Sequence, residues 1–200
     1  MSNPVGCVIL AAGASRRLGH PKQLLVHRGQ PLVVSAVECA LQSQASACAI
    51  VIGAHASRVR AALATAPIEV LENERFDEGV AASIRVAVAW AKARACQALL
   101  LALCDQPKLT SQHLDRLIAA YEHRHMLTAS RYSGKNAVPA LFPQAYFDDL
   151  AALRGDRGAS ALLNGSAPVS PVPWPDGELD VDDAEAERRL RANRFDLTVR

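Results

Sequence analysis

Aromatic residues are scarce in this 200-residue chain: two Trp, three Tyr and four Phe make up 4% of it. Half of all residues are hydrophobic, so Ala, Val and Leu must fill most of the core. Acidic residues are missing from the first 37 positions, which nevertheless carry Arg16, Arg17, Lys22 and Arg28. Paired cysteines are missing as well. The five present (Cys7, Cys39, Cys48, Cys96 and Cys104) are odd in number and form no Cys-x-x-Cys, and most sit in apolar stretches. That pattern argues against a disulfide framework or a structural zinc site. No apolar run approaches the length of a membrane span, and residues 5–12 are too short a run, followed rather than preceded by basic residues, to serve as a secretion signal. A cytoplasmic location is expected. A net charge of +2 and the lack of interleaved basic and aromatic residues give no reason to expect nucleic-acid or membrane binding.

What the chain does have is order. Continuous apolar runs at residues 5–12, 47–53 and 98–103 suit strands buried on both faces, and 68–71, 127–132 and 138–142 are further candidate strands. Between them, helical patterns cover 31–44, 55–65, 79–95 and a stretch beginning after Thr110, a candidate N-cap. Residues 133–136 read as a turn, 144–153 and 158–163 as helices, 168–175 as an extended Pro-rich connection and 183–192 as a closing helix. Strands alternating with helices predict an α/β fold with a largely parallel sheet covered on both faces. Ligands in such sheets bind at the carboxyl ends of the strands.

Two strand ends carry polar residues suited to that position. Gly13 directly follows the first buried strand, where a glycine lets backbone N–H groups approach an anion, and Arg17 and Lys22 add fixed positive charge to the same loop. This suits a triphosphate, or else the loop is an ordinary exposed turn. It is neither a Walker loop, since Gly13 and Gly19 are six apart and His20 follows Gly19, nor a GxGxxG motif. Asp105, in Cys104-Asp105-Gln106-Pro107, sits just past the strand at 98–103, either as an oxygen ligand for a hard cation or as a local cap. Near the other end, residues 176–187 hold seven acids and no base. Opposite charge at the two ends fits a site where one end holds phosphate and the other a cation; a solvated acidic helix accounts for the acids equally well. His123 and His125 have no metal-ligand spacing and read as a helix end, Cys104 as strand-end packing, and Trp90 and Trp174 as core.

The run Leu10-Ala11-Ala12-Gly13-Ala14-Ser15-Arg16-Arg17-Leu18-Gly19-His20-Pro21-Lys22, continuing Gln23-Leu24-Leu25, closely resembles the signature of the molybdenum-cofactor nucleotidyltransferases, and within them the cytidylyltransferase branch. The resemblance implies that Leu10, Ala11, Ala12 and Gly13 lie along the nucleotide while Arg17 and Lys22 grip its phosphates. Asp105 matches the family's magnesium ligand. The segment from Asn73 to Arg85 resembles the family's Asn…Gly-Met-x-x-Ser, with Val80 in place of Met, so Gly79 and Ser83 are candidates for base or ribose contacts, or else simply serve the helix start. Asn136–Phe142 and Leu153–Ala159 resemble acceptor-side segments, with Ala137 where Gly is common and Ser160 where Arg follows Gly-Ala. Leu179-Asp180-Val181-Asp182-Asp183 resembles an Asp-x-Asp element. There Asp180 or Asp182 supplies a second metal ligand, and capping by Asp182 or Asp183 is the rival role.

The resemblance runs in order along nearly the whole chain. It implies one domain over residues 1–200, a three-layer α/β/α Rossmann-like fold with a mostly parallel, mixed sheet. It further implies a Mg2+-dependent enzyme that transfers CMP from CTP to molybdopterin, with a client molybdoenzyme or its maturation factor as a further partner. Three alternatives stand beside that reading: another NTP or phosphorylated acceptor, the redox activity assigned to one branch of similar sequences, and a non-catalytic carrier of the cofactor.

Overall fold

The computed structural model describes residues 4–181 and 183–192. In chain order the first elements are β1 (Val5–Ala11), the short strands β2 (Val26–His27) and β3 (Gln30–Pro31), α1 (Leu32–Leu41), β4 (Ala47–Ile52), α2 (Ala56–Ala62) and β5 (Glu69–Glu72). Then come α3 (Val80–Ala93), β6 (Ala98–Leu103), α4 (Ser111–Arg124), β7 (Leu127–Tyr132), β8 (Lys135–Pro143), α5 (Phe147–Ala152), α6 (Ser160–Leu163), β9 (Val169–Pro173) and α7 (Ala184–Ala192).

Every residue of β1 is buried, so it takes an interior place in a seven-stranded sheet ordered β5-β4-β1-β6-β8-β7-β9. β5, β4, β1 and β6 run parallel, β8 runs antiparallel to β6 and β7, and β9 returns parallel to β7. The sheet is thus mostly parallel but mixed. Alternation along β1 distributes its side chains between two layers. Val5, Cys7 and Ile9 pack with Val33 and Val37 of α1, Val59 of α2 and Leu114 and Leu117 of α4. Val8 and Leu10 pack on the opposite face with Ile84 and Val88 of α3, Leu150 of α5 and Leu163 of α6. This is the expected three-layer α/β/α arrangement.

Local expectations meet mixed outcomes. Thr110 caps α4, its hydroxyl accepting from His113 N at 3.2 Å, and His125 ends that helix in a left-handed conformation. The turn before β8 is tighter than four residues: Ser133 and Gly134 both have positive φ, and Lys135 already pairs with Tyr132. The Pro-rich stretch is not merely a connection, since Val169–Pro173 forms an edge strand. Ser170 and Val172 are buried there while Pro171 and Pro173 face outward, where a missing N–H costs the sheet nothing. The β2–β3 ribbon is an addition, as two residues per strand carry too little periodicity to register.

Trp174 is core, as expected, and stacks on His113 at 4.6 Å between ring centroids. Ser130 donates to Pro139 O, so His113 Nε2 must donate to Ser130 Oγ, at 2.7 Å, while Nδ1 accepts from Arg116. Burial, and secondarily the Arg116 charge, push the His113 pKa down to about 4. The ring is therefore neutral in the folded protein at pH values where an unfolded histidine is already protonated. Stability should be unaffected above the unfolded value near 6.5, fall as pH drops through the window down to about 4, and level off below it, by up to about 3 kcal/mol in total. Urea midpoints of wild type and His113→Gln across pH 4–7 check this: the wild-type curve should fall more steeply. Parallel curves would remove His113 as the cause.

Candidate active site

The loop after β1 is braced from within. Gln23 is 1% exposed, and its Nε2 donates to Ala11 O at 2.9 Å and Gly13 O at 2.7 Å. Ser15, at φ 51°, turns the chain, its carbonyl accepting from Leu18 N and Gly19 N and its hydroxyl from Lys22 N. These bonds hold a polar loop in one shape at the carboxyl end of the sheet. A Cβ added at Gly13 would meet nothing within 4 Å among the described residues, so the space beside this backbone suits a ligand.

That space is a cleft of about 710 Å³. Leu10, Ala11, Ala12, Gly13, Arg17, Lys22, Gly79, Ser83, Asp105 and Asp180, all singled out from the sequence, line it together. Asp182 lies outside the described residues. Sequence reasoning missed Gln23, whose partners lie 10 and 12 residues back, and overlooked Phe76, Asp77 and Asp156 as cleft residues. Adjacency of Gln23 to Lys22 within the first motif was the available signal.

Lys22 and Asp105, assigned to opposite tasks, are hydrogen-bonded ion-pair partners through Nζ and Oδ2. The other carboxylate oxygen, Asp105 Oδ1, is buried without a hydrogen-bond partner among the described residues, in a residue only 6% exposed. A buried carboxylate oxygen left unsatisfied is costly and invites a cation or a donor. The backbone carbonyl of Asp105 accepts from Val181 N at 3.1 Å, which brings Asp180 to the same cleft. Val181 and Leu190 pack with Leu25, Leu32 and Leu18, and His20 faces Glu187 at 3.1 Å, so the acidic segment docks beside the basic loop. Asp183 does take the capping role: its Oδ1 accepts from Ala186 N and Glu185 N, and these bonds, with Arg17 nearby, hold its carboxyl below the usual value.

The donor set fits a hard divalent ion. Among the described residues no group of three or more His, Cys, Asp or Glu could hold a metal alone, whereas Asp105 and Asp180 offer carboxylate oxygens. One or two carboxylates completed by water and phosphate oxygens is the pattern such a cation takes beside a nucleotide. Cys104, 3% exposed, has its thiol pushed up by burial and then by Asp105, so it is an inert packing group, as expected.

On the α3 side, Asn73 is buried and bridges the loop: its Nδ2 donates to Ser83 Oγ at 3.0 Å and its Oδ1 accepts from Arg75 N. Ser83, 5% exposed, keeps its own O–H to donate. Gly79 starts α3 at φ 96°, and any Cβ there would come within 2.5 Å of Gly155 backbone and 2.6 Å of Asp156 Oδ1. Ala81 N donates to Gly155 O at 3.1 Å. The helix-start reading of Gly79 therefore holds, and the same contact carries Asp156 into the cleft.

Comparison with known proteins agrees with this architecture. Over 124 residues the chain is 35% identical to nicotine blue oxidoreductase of Paenarthrobacter nicotinovorans, spanning 62% of this chain and 60% of that protein. It is 31% identical over 194 residues to molybdenum cofactor guanylyltransferase of Rhodobacter capsulatus, spanning 93% and 96% of the two chains. Rv0371c of Mycobacterium tuberculosis superposes with a TM-score of 0.82 at 34% identity, covering 94% of this chain and 97% of that one; it has also been solved in complex with manganese. Residues 7–170 match the MobA-like NTP transferase domain, and the chain belongs to that family of nucleotidyltransferases.

Proposed function

We propose that this protein transfers CMP from CTP to the terminal phosphate of molybdopterin and releases pyrophosphate. The observation that carries this reading is the cleft in which the basic loop of Arg17 and Lys22 faces a buried carboxylate with one unsatisfied oxygen, Asp105 Oδ1. In the reaction a phosphate oxygen of the acceptor attacks the α-phosphorus in line. A new P–O bond forms as the bond to the β-phosphate oxygen breaks. The acceptor is already an anionic nucleophile, so no side chain has to remove a proton. What the protein must supply is position and charge neutralisation.

The residues divide that work. The backbone from Leu10 to Gly13 lies along the nucleotide, with Gln23 keeping it rigid. Arg17 and Lys22 offset charge growing on the leaving pyrophosphate. Asp105 with Asp180 or Asp182 would hold magnesium, which would supply positive charge against the phosphate oxygens. Gly79 and Ser83 border the nucleoside.

The Rhodobacter relative is named for guanylyl transfer, which makes GTP the second reading. The Ala11-Ala12-Gly13 and Lys22-Gln23-Leu24-Leu25 segments favour CTP through their resemblance to the cytidylyl branch. With molybdopterin, magnesium and equal CTP and GTP, cytosine dinucleotide should dominate the products, because a site that hydrogen-bonds one base leaves polar groups unpaired with another. A product mixture dominated by guanine would transfer the assignment to GTP. Absence of pyrophosphate release with all four NTPs, alongside turnover of a small-molecule redox substrate, would favour the activity named for the Paenarthrobacter relative.

A further inference from the structure

The cleft is polarised. Arg16, Arg17 and Lys22 line it from the loop after β1, while Phe76, Asp77 and Asp156 line it from the side where α3 begins. Phosphate belongs at the first wall, where Asp105 and Asp180 also lie, away from the two carboxylates on the second. Yet neither Asp77 nor Asp156 has a hydrogen-bond or ion-pair partner among the described residues, whereas Glu78, on the same turn, is taken up by Arg75 and Arg85. Phe76 is 37% exposed, one of only two large apolar side chains so exposed among the described residues. An exposed ring beside unpartnered acceptors suits a flat heterocycle that carries amino groups: the ring stacks on the aromatic face and its N–H groups point at carboxylate oxygen.

Of the two carboxylates, Asp156 is the one the fold takes trouble to place. Gly79 has no Cβ and adopts φ 96°, which leaves room for Gly155 and Asp156 to lie against the first turn of α3, and Ala81 N holds Gly155 O there. A larger residue at 79 would displace the carboxylate. Ser83, nearly fully buried, adds an O–H donor to the same wall.

We propose that Asp156 is a specificity-determining residue that accepts a hydrogen bond from the amino-pyrimidine edge of a bound heterocycle, with Phe76 stacking on its ring. This rests on the nucleotidyl-transfer reading and deepens it. Cytosine and guanine carry such an edge, and so does the pterin of the acceptor; uracil presents a carbonyl oxygen instead, which a carboxylate repels. Asp156 is exposed and unpartnered, so Asp156→Asn should melt like wild type.

The test is calorimetric titration of the full chain with CTP, UTP and inorganic pyrophosphate in magnesium, beside steady-state transfer to molybdopterin. Wild type should prefer CTP to UTP by about tenfold, the scale of one hydrogen bond to a charged group. Asp156→Asn should bring that ratio close to one without changing pyrophosphate affinity, and Phe76→Ala should weaken both nucleotides but not pyrophosphate. If the ratio holds while the molybdopterin KM rises about tenfold, the heterocycle read by Asp156 is the acceptor's, and the proposal stands. If Asp156→Asn transfers nucleotide with unchanged ratio and unchanged KM, the proposal falls and the transferase reading survives. A wild type that binds no NTP overturns both.

Discussion

Asp105→Asn is expected to lower turnover by roughly a hundredfold to a thousandfold while the protein still folds, the scale seen when one preorganised charge-stabilising group is removed from an active site. An amide oxygen is a weaker ligand for a hard cation than a carboxylate. The ion pair adds a second effect of opposite sign. In the ligand-free protein Asp105 Oδ2 holds Lys22 Nζ, so phosphate must compete with Asp105 for that ammonium group. Removing the carboxylate charge weakens that competition. Pyrophosphate titrated into metal-free Asp105→Asn should therefore bind more tightly than into metal-free wild type, even though turnover with magnesium has collapsed. Near-normal turnover would reject Asp105 as the metal site. Unchanged pyrophosphate affinity without metal would show that the Lys22–Asp105 pair does not gate the loop.

Lys22→Ala should weaken NTP binding by about tenfold to a hundredfold, the loss of one charge-assisted contact to phosphate. It should also destabilise the fold, which the sequence alone did not suggest. Asp105 is buried, and without Lys22 its second oxygen loses its partner as well, at a cost of about 1–3 kcal/mol. Adding Asp105→Asn to Lys22→Ala removes the stranded charge, so the double variant should recover much of the melting temperature but none of the NTP affinity. This separates the two roles. Equal affinity in wild type and Lys22→Ala, by calorimetry, would leave the phosphate-loop assignment without support.

How much of this was legible in the sequence depends on the range over which each feature is encoded. β1 and β6 were legible because burial on both faces writes itself as an unbroken apolar run. The cleft residues at the ends of those strands followed from the general placement of ligands in α/β sheets. β9 was hidden by Pro171 and Pro173, which weaken the case for a strand unless its edge position is known. Gln23 was hidden because its task is to hold carbonyls of another segment, and a buried glutamine looks like any other in one dimension. The contact of Gly79 with Asp156 spans two motifs that read separately, one as nucleoside side and the other as acceptor side. Opposite charge at the two ends of the chain was visible as composition. That the acidic segment reaches the basic one, through Val181 on Asp105 and Leu190 on Leu25 and Leu32, is a property of the fold.

Both borders of the sheet carry the means to refuse a neighbour. A bare strand border offers rows of unpaired amides and carbonyls to any other chain. On β9 two of five residues are prolines and lack the amide that such pairing needs. On β5, only four residues long, Glu69 and Glu72 begin and end the strand, tied to Arg94 and Arg60. Two molecules meeting border to border would bring like-charged carboxylates together at one side or forgo amides at the other. Each border of the seven-stranded sheet thereby disfavours the addition of an eighth strand.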